Sequence, residues 1–294
     1  MTDARGLTLM LGGRWHRRYG AAPCPICQPE RRKGQNALTV ADGTNGRLML
    51  HCKRSGCAFV DLLAAVGLRA GDYAPPDAAT LAQREAERLA EAMKRAAQAE
   101  RLWSEAQPIT GTLAETYLRG RGIDCALPDT LRFHGQAWHG PTARRLPALV
   151  ALVEGGDGFA VHRTFLRPDG AGKAGLEGGD KLMLGGTQGG AVRLTGGAAW
   201  LVAGEGIEST LSLACGLLDG PATLWAALST SGLRGLRLPA RPGRLTIACD
   251  GDPPGREVAC VLAERAHALG WAVGILDPGN GADFNDILQG RAAA

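Results

Sequence analysis

A multi-domain protein is expected from this sequence: a small β-rich ribbon held by cysteines, a helical connector, and an α/β core with a parallel sheet, preceded by a small mixed α+β subdomain. Three observations predict it. Cys24-Pro-Ile-Cys27 and Cys52-Lys-Arg-Ser-Gly-Cys57 place two close thiol pairs near the N-terminus. Residues from about 77 to 106 shift abruptly to Ala, Glu, Arg, Leu and Gln. From residue 197 onward short apolar runs alternate with helical stretches, the pattern of a parallel sheet covered on both faces. A chain of 294 residues, 45% hydrophobic, has room for two or three such domains.

The first domain is read as residues 1–72. Between its cysteine pairs lie two strand-like runs, ALTV and RLML, around Asp42-Gly43-Thr44-Asn45-Gly46. A hairpin there returns the second pair to the first. Four thiolates can then surround one Zn²⁺ at ~2.3 Å, and a site closed by four ligands organises structure without performing chemistry. His51 is a reserve ligand, better read as an ordinary strand-end histidine. Cys125, Cys215, Cys249 and Cys260 are scattered and are expected to be packing residues in a reducing compartment. Arg14, His16, Arg17, Arg18, Arg31, Arg32, Lys33, Lys53 and Arg54 surround the pairs. Residues 1–72 hold 11 Lys/Arg against 5 Asp/Glu, whereas residues 197–290 hold 6 against 10. A basic head suits a polyanion and an acidic tail suits divalent cations.

Residues 73–108 form the connector, in which Leu81, Leu89, Met93 and Leu102 lie near helical spacing among strong helix formers. In residues 109–196, GTLAETYLRGRGI predicts a short helix ending near Gly120 or Gly122. LPALVALVEG, FAVHRTFL and KLMLGG predict strands with Gly-rich turns between them. Gly170-Ala-Gly-Lys173 fails as a nucleotide-binding phosphate loop, because Arg167 stands where the first Gly belongs and Ala174 where Ser or Thr is needed. A fused helicase motor is therefore not expected. No stretch approaches the ~20 apolar residues that span a bilayer and no leader is evident, so a cytoplasmic protein with no membrane partner is expected.

In residues 197–294 three acidic groupings follow strand-like runs. WLVA leads to Glu205; LTIAC leads to Asp250-Gly251-Asp252; AVGIL leads to Asp277 and then Asp283 and Asp286. Parallel neighbours would bring these ends to one edge, where open α/β sheets bind ligands. Carboxylates so crowded repel one another unless a cation joins them, and hard oxygens suit Mg²⁺ or Mn²⁺. Mg²⁺ takes one or two protein carboxylates and completes its shell with water and phosphate, which points to phosphoryl chemistry. Each acid also has an ordinary reading. Asp283 and Asp286 can cap the final helix, Asp277 fits a turn, and Glu208 fits a first helical turn.

Glu205-Gly206 and Asp250-x-Asp252, each after an apolar strand, resemble the TOPRIM domain of primases, topoisomerases and some nucleases. GEGIESTLSL and DFNDIL resemble the versions found in phage- and plasmid-type primases. CPIC with HCKRSGC…DLL resembles the primase zinc-binding domain, although the second pair has four intervening residues where many relatives have two. The resemblance implies catalysis by Glu205, Asp250 and Asp252, with Asp283 and Asp286 as further Mg²⁺ or Mn²⁺ ligands. Cys24, Cys27, Cys52 and Cys57 would hold structural Zn²⁺. It casts Arg119, Arg121, His162, Arg163, Lys173 and Lys181 as contacts to template or triphosphate. The function implied is a DNA primase that makes short RNA primers on single-stranded DNA from nucleoside triphosphates, beside a separate replicative helicase. A TOPRIM nuclease and a non-catalytic nucleic-acid-binding protein are the alternatives. Topoisomerase is disfavoured, for no tyrosine among Tyr19, Tyr73 and Tyr117 has a catalytic setting.

Overall fold

The structure is a computed structural model that describes residues 3–16, 18–32, 34–43, 47–69 and 76–290. The expected hairpin turn at residues 44–46, and Arg17 and Lys33 of the basic set, lie outside the described residues. The chain divides into two compact units, Met1–Ala90 and Glu91–Ala294.

In the first unit, helix α1 (Ala4–Met10) starts at Asp3, whose carboxylate accepts the Gly6 N–H at 2.7 Å. Strands β1 (Arg14–His16), β2 (Tyr19–Ala22), β3 (Leu38–Asp42) and β4 (Leu48–Cys52) follow in an antiparallel sheet in chain order, and helix α2 (Phe59–Ala65) comes last. The two expected strands are β3 and β4, paired with Leu38 opposite Cys52 and Val40 opposite Leu50. Leu38, Val40 and Leu48 bury against Leu7, Leu11 and Leu62. Helix α1 presses so closely on β2 that a Cβ at Gly20 would lie 1.9 Å from Thr8 Oγ1, so only glycine fits.

Helix α3 (Ala78–Glu105) is the predicted helix. Its first turns carry Arg84, which pairs with Asp3 and, at 3.1 Å, with Asp42. Leu81, Leu89 and Met93 are exposed, so the apolar spacing read in the sequence is not a buried stripe there. The burial begins further on, where Ala99, Leu102 and Trp103 pack with Val150 and Val161.

Those valines belong to a second antiparallel sheet in chain order: β5 (Gln107–Pro108), β6 (Leu131–His139), β7 (Arg144–Val153), β8 (Ala160–Phe165) and β9 (Lys181–Gly185), with helix α4 (Leu113–Gly120) after β5. One face meets α3. The alternate residues Leu149, Ala151 and Ala160 pack with Val202 and Ile207 of the C-terminal portion. This double cover explains why all six residues of β8 are buried, polar ones included.

The C-terminal portion comprises β10 (Val192–Arg193), β11 (Trp200–Gly204), α5 (Ile207–Ser212), β12 (Thr223–Ala226), α6 (Thr230–Gly235), β13 (Arg244–Ala248), α7 (Pro253–Ala268), β14 (Ala272–Leu276) and α8 (Phe284–Leu288). The sheet order is β10-β12-β11-β13-β14, with β10 antiparallel and the rest parallel. The predicted multi-domain α/β architecture with a parallel core is what the chain adopts. Among the described residues no helix is long and apolar enough to cross a membrane.

Leu102 touches two clusters beneath the second sheet, whereas Leu89 on the same helix is exposed. Leu102→Ala is expected to cost roughly 2 kcal/mol in urea unfolding. Leu89→Ala is expected to stay within about 0.5 kcal/mol.

Candidate functional site

Parallel pairing aligns Gly204 with Ala248 and Ala248 with Leu276, so β11, β13 and β14 end at one edge. The residues that follow are Glu205, the Asp250-Gly251-Asp252 loop and Asp277. The loop is fastened to the segment before α8: Gly251 N–H donates to Ala282 O at 2.9 Å, and Gly281 N–H donates to Gly251 O at 2.9 Å. A Cβ at Gly251 would stand 1.8 Å from Gly279 O, which requires glycine between the two aspartates. This stitching carries Asp283 and Asp286 toward Asp250.

Glu205 is buried, and among the described residues its Oε1 has no hydrogen-bond partner. Burial, then the charges of Asp250 and Asp252, push its carboxyl up to about 7, against the opposing pull of the Asp250 backbone N–H. Burial, Asp283 and Asp252 push Asp250 up to about 6, with Lys181 pulling the other way. Asp252 caps α7, its Oδ1 accepting the Gly255 N–H at 2.7 Å. Oδ1 of Asp252 and Oε1 of Glu205 lie 2.9 Å and 3.1 Å from the point a Gly255 Cβ would occupy, which bounds their separation at 6.0 Å. The main chain is held here too, since Leu228, at φ 75°, donates its N–H to Glu205 O at 2.7 Å.

An unpartnered buried carboxylate oxygen among like charges costs free energy that a divalent cation removes. Glu205, Asp250 and Asp252 offer hard oxygens, and one cation with a bridging water spans such a distance. These residues therefore fit Mg²⁺ or Mn²⁺. The later acids are more engaged. Asp283 and Asp286 form a reciprocal cap on α8, at 2.8 Å and 3.2 Å, and act on Asp250 through space. Asp277 turns outward, binding Arg256 at 2.7 Å and 3.2 Å and the Gly279 N–H at 2.9 Å.

Glu208 has a larger part than a first-turn charge. Buried on α5, it accepts the Tyr117 hydroxyl at 2.7 Å and Lys181 Nζ at 3.1 Å, with Lys173 Nζ at 3.7 Å. Burial alone would raise its carboxyl, but Lys181, Lys173 and Tyr117 outweigh it and hold the group well below the usual range. The two ammonium groups are thus fixed by one carboxylate, and Lys181 also acts on Asp250. Helix α8 locks α5 in place: Phe284 N–H donates to Ser209 Oγ at 3.1 Å, and Asn285 Nδ2 donates to Ser212 Oγ at 2.9 Å and Arg121 O at 2.8 Å.

The six basic candidates separate. Lys173 and Lys181 meet at Glu208, and Arg121 acts on Lys173 through space. His162 is buried beside them, and burial followed by Lys181 pushes it down to about 4, so it is neutral at pH 7 and adds no positive charge. Arg119 is occupied at the end of α4, donating to Ile123 O at 2.8 Å and Cys125 O at 2.9 Å and pairing with Glu115 at 3.0 Å. Arg163 alternates with His162 on β8 and faces the other side of the sheet, beneath α3.

In the first unit Cys24, Cys27, Cys52 and Cys57 bring their sulfurs within 4.8 Å of one another. Among the described residues this is the one group of three or more ligands already close enough to hold a metal ion. Cys24–Cys57 and Cys27–Cys52 stand 3.9 Å and 3.5 Å apart. A tetrahedron of ~2.3 Å Zn–S bonds puts its sulfurs roughly 3.8 Å apart. Burial raises the Cys52 thiol, but the backbone N–H groups of Ser55, Cys57 and Arg54 outweigh it and bring it down to about 6. Burial and then the neighbouring thiols push Cys57 up to about 12, and burial raises Cys24, so only a bound cation would make all four thiolates. His51 is exposed on β4. Of the remaining cysteines Cys249 is buried, Cys125 and Cys215 are half-buried, and Cys260, contrary to expectation, is exposed on α7.

Residues 200–294 match the model of the Toprim domain, and residues 93–194 match a domain of unknown function (DUF7146). The chain thus carries a Toprim domain behind a four-cysteine cluster. No curated protein matches it. Among solved structures it is similar to a DNA primase domain from Pseudomonas aeruginosa, at 16% identity and TM-score 0.41, over 67% of this chain and 74% of that one. It is also similar to the zinc-binding and RNA polymerase domains of the Aquifex aeolicus primase, at 11% identity and TM-score 0.42, over 99% of this chain and 83% of that one.

Two outcomes are expected. Cys52→Ser should lose the bound metal seen by atomic absorption of the purified protein and expose the first unit to proteolysis, since a closed site contributes directly to folding. Glu208→Ala should cost about 2–4 kcal/mol in denaturant unfolding, less than a fully buried pair because the lysines reach solvent. Ionised Glu208 stabilises the fold above its ordinary value of 4.5, and that contribution is lost as the pH falls below it. The stability gap between wild type and Glu208→Gln should therefore hold from neutral pH down to about 4.5 and narrow below it.

Proposed function

We propose that this chain is a DNA-directed nucleotidyltransferase of the primase kind, making short RNA primers on single-stranded DNA. The observation that carries this reading is the meeting of Glu205, Asp250 and Asp252 at one strand edge, with Lys173 and Lys181 held nearby by Glu208. Acids for a divalent cation beside cations for phosphate are what transfer between a triphosphate and a hydroxyl requires.

In this reading residues 1–72 engage template, 73–108 connect, 109–196 supply the basic subdomain and 197–294 catalyse. Glu205, Asp250 and Asp252 would hold Mg²⁺ or Mn²⁺, with Asp283 and Asp286 supporting Asp250 from the capping pair. When bound, the cation supplies Lewis acidity at phosphate oxygens and neutralises the leaving pyrophosphate. Lys181 and Lys173 meet the triphosphate with fixed positive charge, and Glu208 keeps them from collapsing onto the carboxylates. Tyr117 also donates to Glu208, so the lysines would be poised before substrate arrives. The four cysteines would hold Zn²⁺ in a structural role.

The cysteine unit also has features suited to a single strand. Arg14, Arg18, Arg31, Arg32, Lys53 and Arg54 are exposed. Tyr19, also exposed, stacks on His16 at 5.3 Å with Lys53 at 6.0 Å from its ring. Basic residues interleaved with an aromatic platform bind phosphates and unpaired bases. A separate helicase and a cytoplasmic setting accompany this reading.

The test is incubation of the purified protein with single-stranded DNA, labelled ribonucleotides and Mg²⁺ or Mn²⁺. Short labelled products are expected. Asp250→Asn should reduce them at least about 100-fold, since the cation contributes several kcal/mol to such reactions, while the bound zinc stays intact. Cut template without labelled product would replace this reading with a nuclease. DNA retained in a gel shift with neither product would leave a binding protein.

A further inference from the structure

A cavity of about 470 Å³ opens between α3 and the face of the β5–β9 sheet opposite Lys181 and His162. Arg163 lines it. Arg163 as a residue is only 8% exposed, and among the described residues its Nε has no hydrogen-bond partner. Nη1 donates to Trp138 O at 2.8 Å, and the Phe165 ring lies 5.6 Å away. No carboxylate among the described residues pairs with it. Burial, then the neighbouring charge of Arg95, pushes it down to about 10. A buried cation with no anion is costly to hold. Arg145, exposed and also lining the cavity, donates to the Gln136 carbonyl at 3.2 Å, the one partner of its side chain among the described residues. The wall's carboxylate, Glu105, is taken by Arg101 at 2.8 Å and by His134 at 3.6 Å.

Among the described residues this anion is missing, and a ligand could supply it. A guanidinium fork matches phosphate better than it matches a spherical anion. Bare phosphate would leave most of the space empty, whereas the volume lies in the range of small-ligand sites. Leu102, Leu182 and Leu184 supply an apolar wall, and Trp138, half exposed, adds an aromatic one. We infer that this cavity binds a nucleoside 5′-phosphate, its phosphate on Arg163 and Arg145 and its base against the apolar wall. It is a second nucleotide site, on the sheet face away from the acids, and its occupancy does not depend on Glu205, Asp250 or Asp252.

Photolabelling of the full chain with 8-azido-ATP, followed by peptide mapping, tests it. Label is expected on peptides carrying residues 98–105, 134–145 or 182–184. Arg163→Met should reduce that label about tenfold or more, the worth of one charge-assisted hydrogen bond. Thermal unfolding should show Arg163→Met folded, because an apolar isostere relieves an unpaired buried charge. Arg145→Gln, at an exposed position, should reduce the label as well, and Asp250→Asn should leave it unchanged. Unlabelled ATP should compete. If inorganic triphosphate competes equally, or only an oligonucleotide competes, the nucleotide assignment is wrong. Label confined to peptides of the acidic edge, or cavity label indifferent to both arginine variants, would overturn the site altogether.

Discussion

Repulsion among carboxylates gathered at one end of a parallel sheet is the constraint to which the second unit answers. Parallel pairing delivers Glu205 and Asp250 to the same edge, and the glycine-stitched loop adds Asp252, Asp283 and Asp286. Folding alone does not relieve this crowding. Some acids are diverted: Asp277 to Arg256, and Asp283 and Asp286 to capping. Glu205 is not: its Oε1 is unpartnered among the described residues and its own carboxyl is pushed up to about 7, which is what remains of the problem. A cation is its physical solution.

Glu208 shows the opposite arrangement one helical turn away. Its charge is kept, at full burial, because two ammonium groups and a phenol converge on it. The contrast between two glutamates three residues apart, one in the loop and one on the helix, separates roles. In the proposed reading one is left for a metal, and the other holds the groups that would meet phosphate. Such a divergence in environment is how a site assigns different tasks to similar side chains.

Much of this was legible in the chain. The cysteine spacing and the apolar runs ALTV and RLML foretold a hairpin that closes four thiols, and β3, β4 and the sulfur cluster have that form. The strand–acid alternation foretold the parallel core. Strands of two to four residues, such as β1, β2, β5 and β10, are too short to leave a periodic signal. The face of β8 on which each basic residue lies was beyond reach, because every position of that strand is buried and no polar alternation marks it. That His162 and Arg163, adjacent on a strand, lie on opposite faces follows from the strand's period of two; which of them faces the acids does not. In the sequence Glu208 reads as a helix-start charge. One clue was available: residues 197–294 contain no lysine, so a buried glutamate there must draw its ammonium partners from the preceding segment.

The most direct measurement is a crystal soaked in Mn²⁺, with anomalous scattering recorded at the manganese edge. Density is expected about 2.0–2.3 Å from carboxylate oxygens of Glu205 and at least one of Asp250 and Asp252. Saturating Mn²⁺ that leaves this edge empty, with Glu205 still unpartnered, would contradict the account.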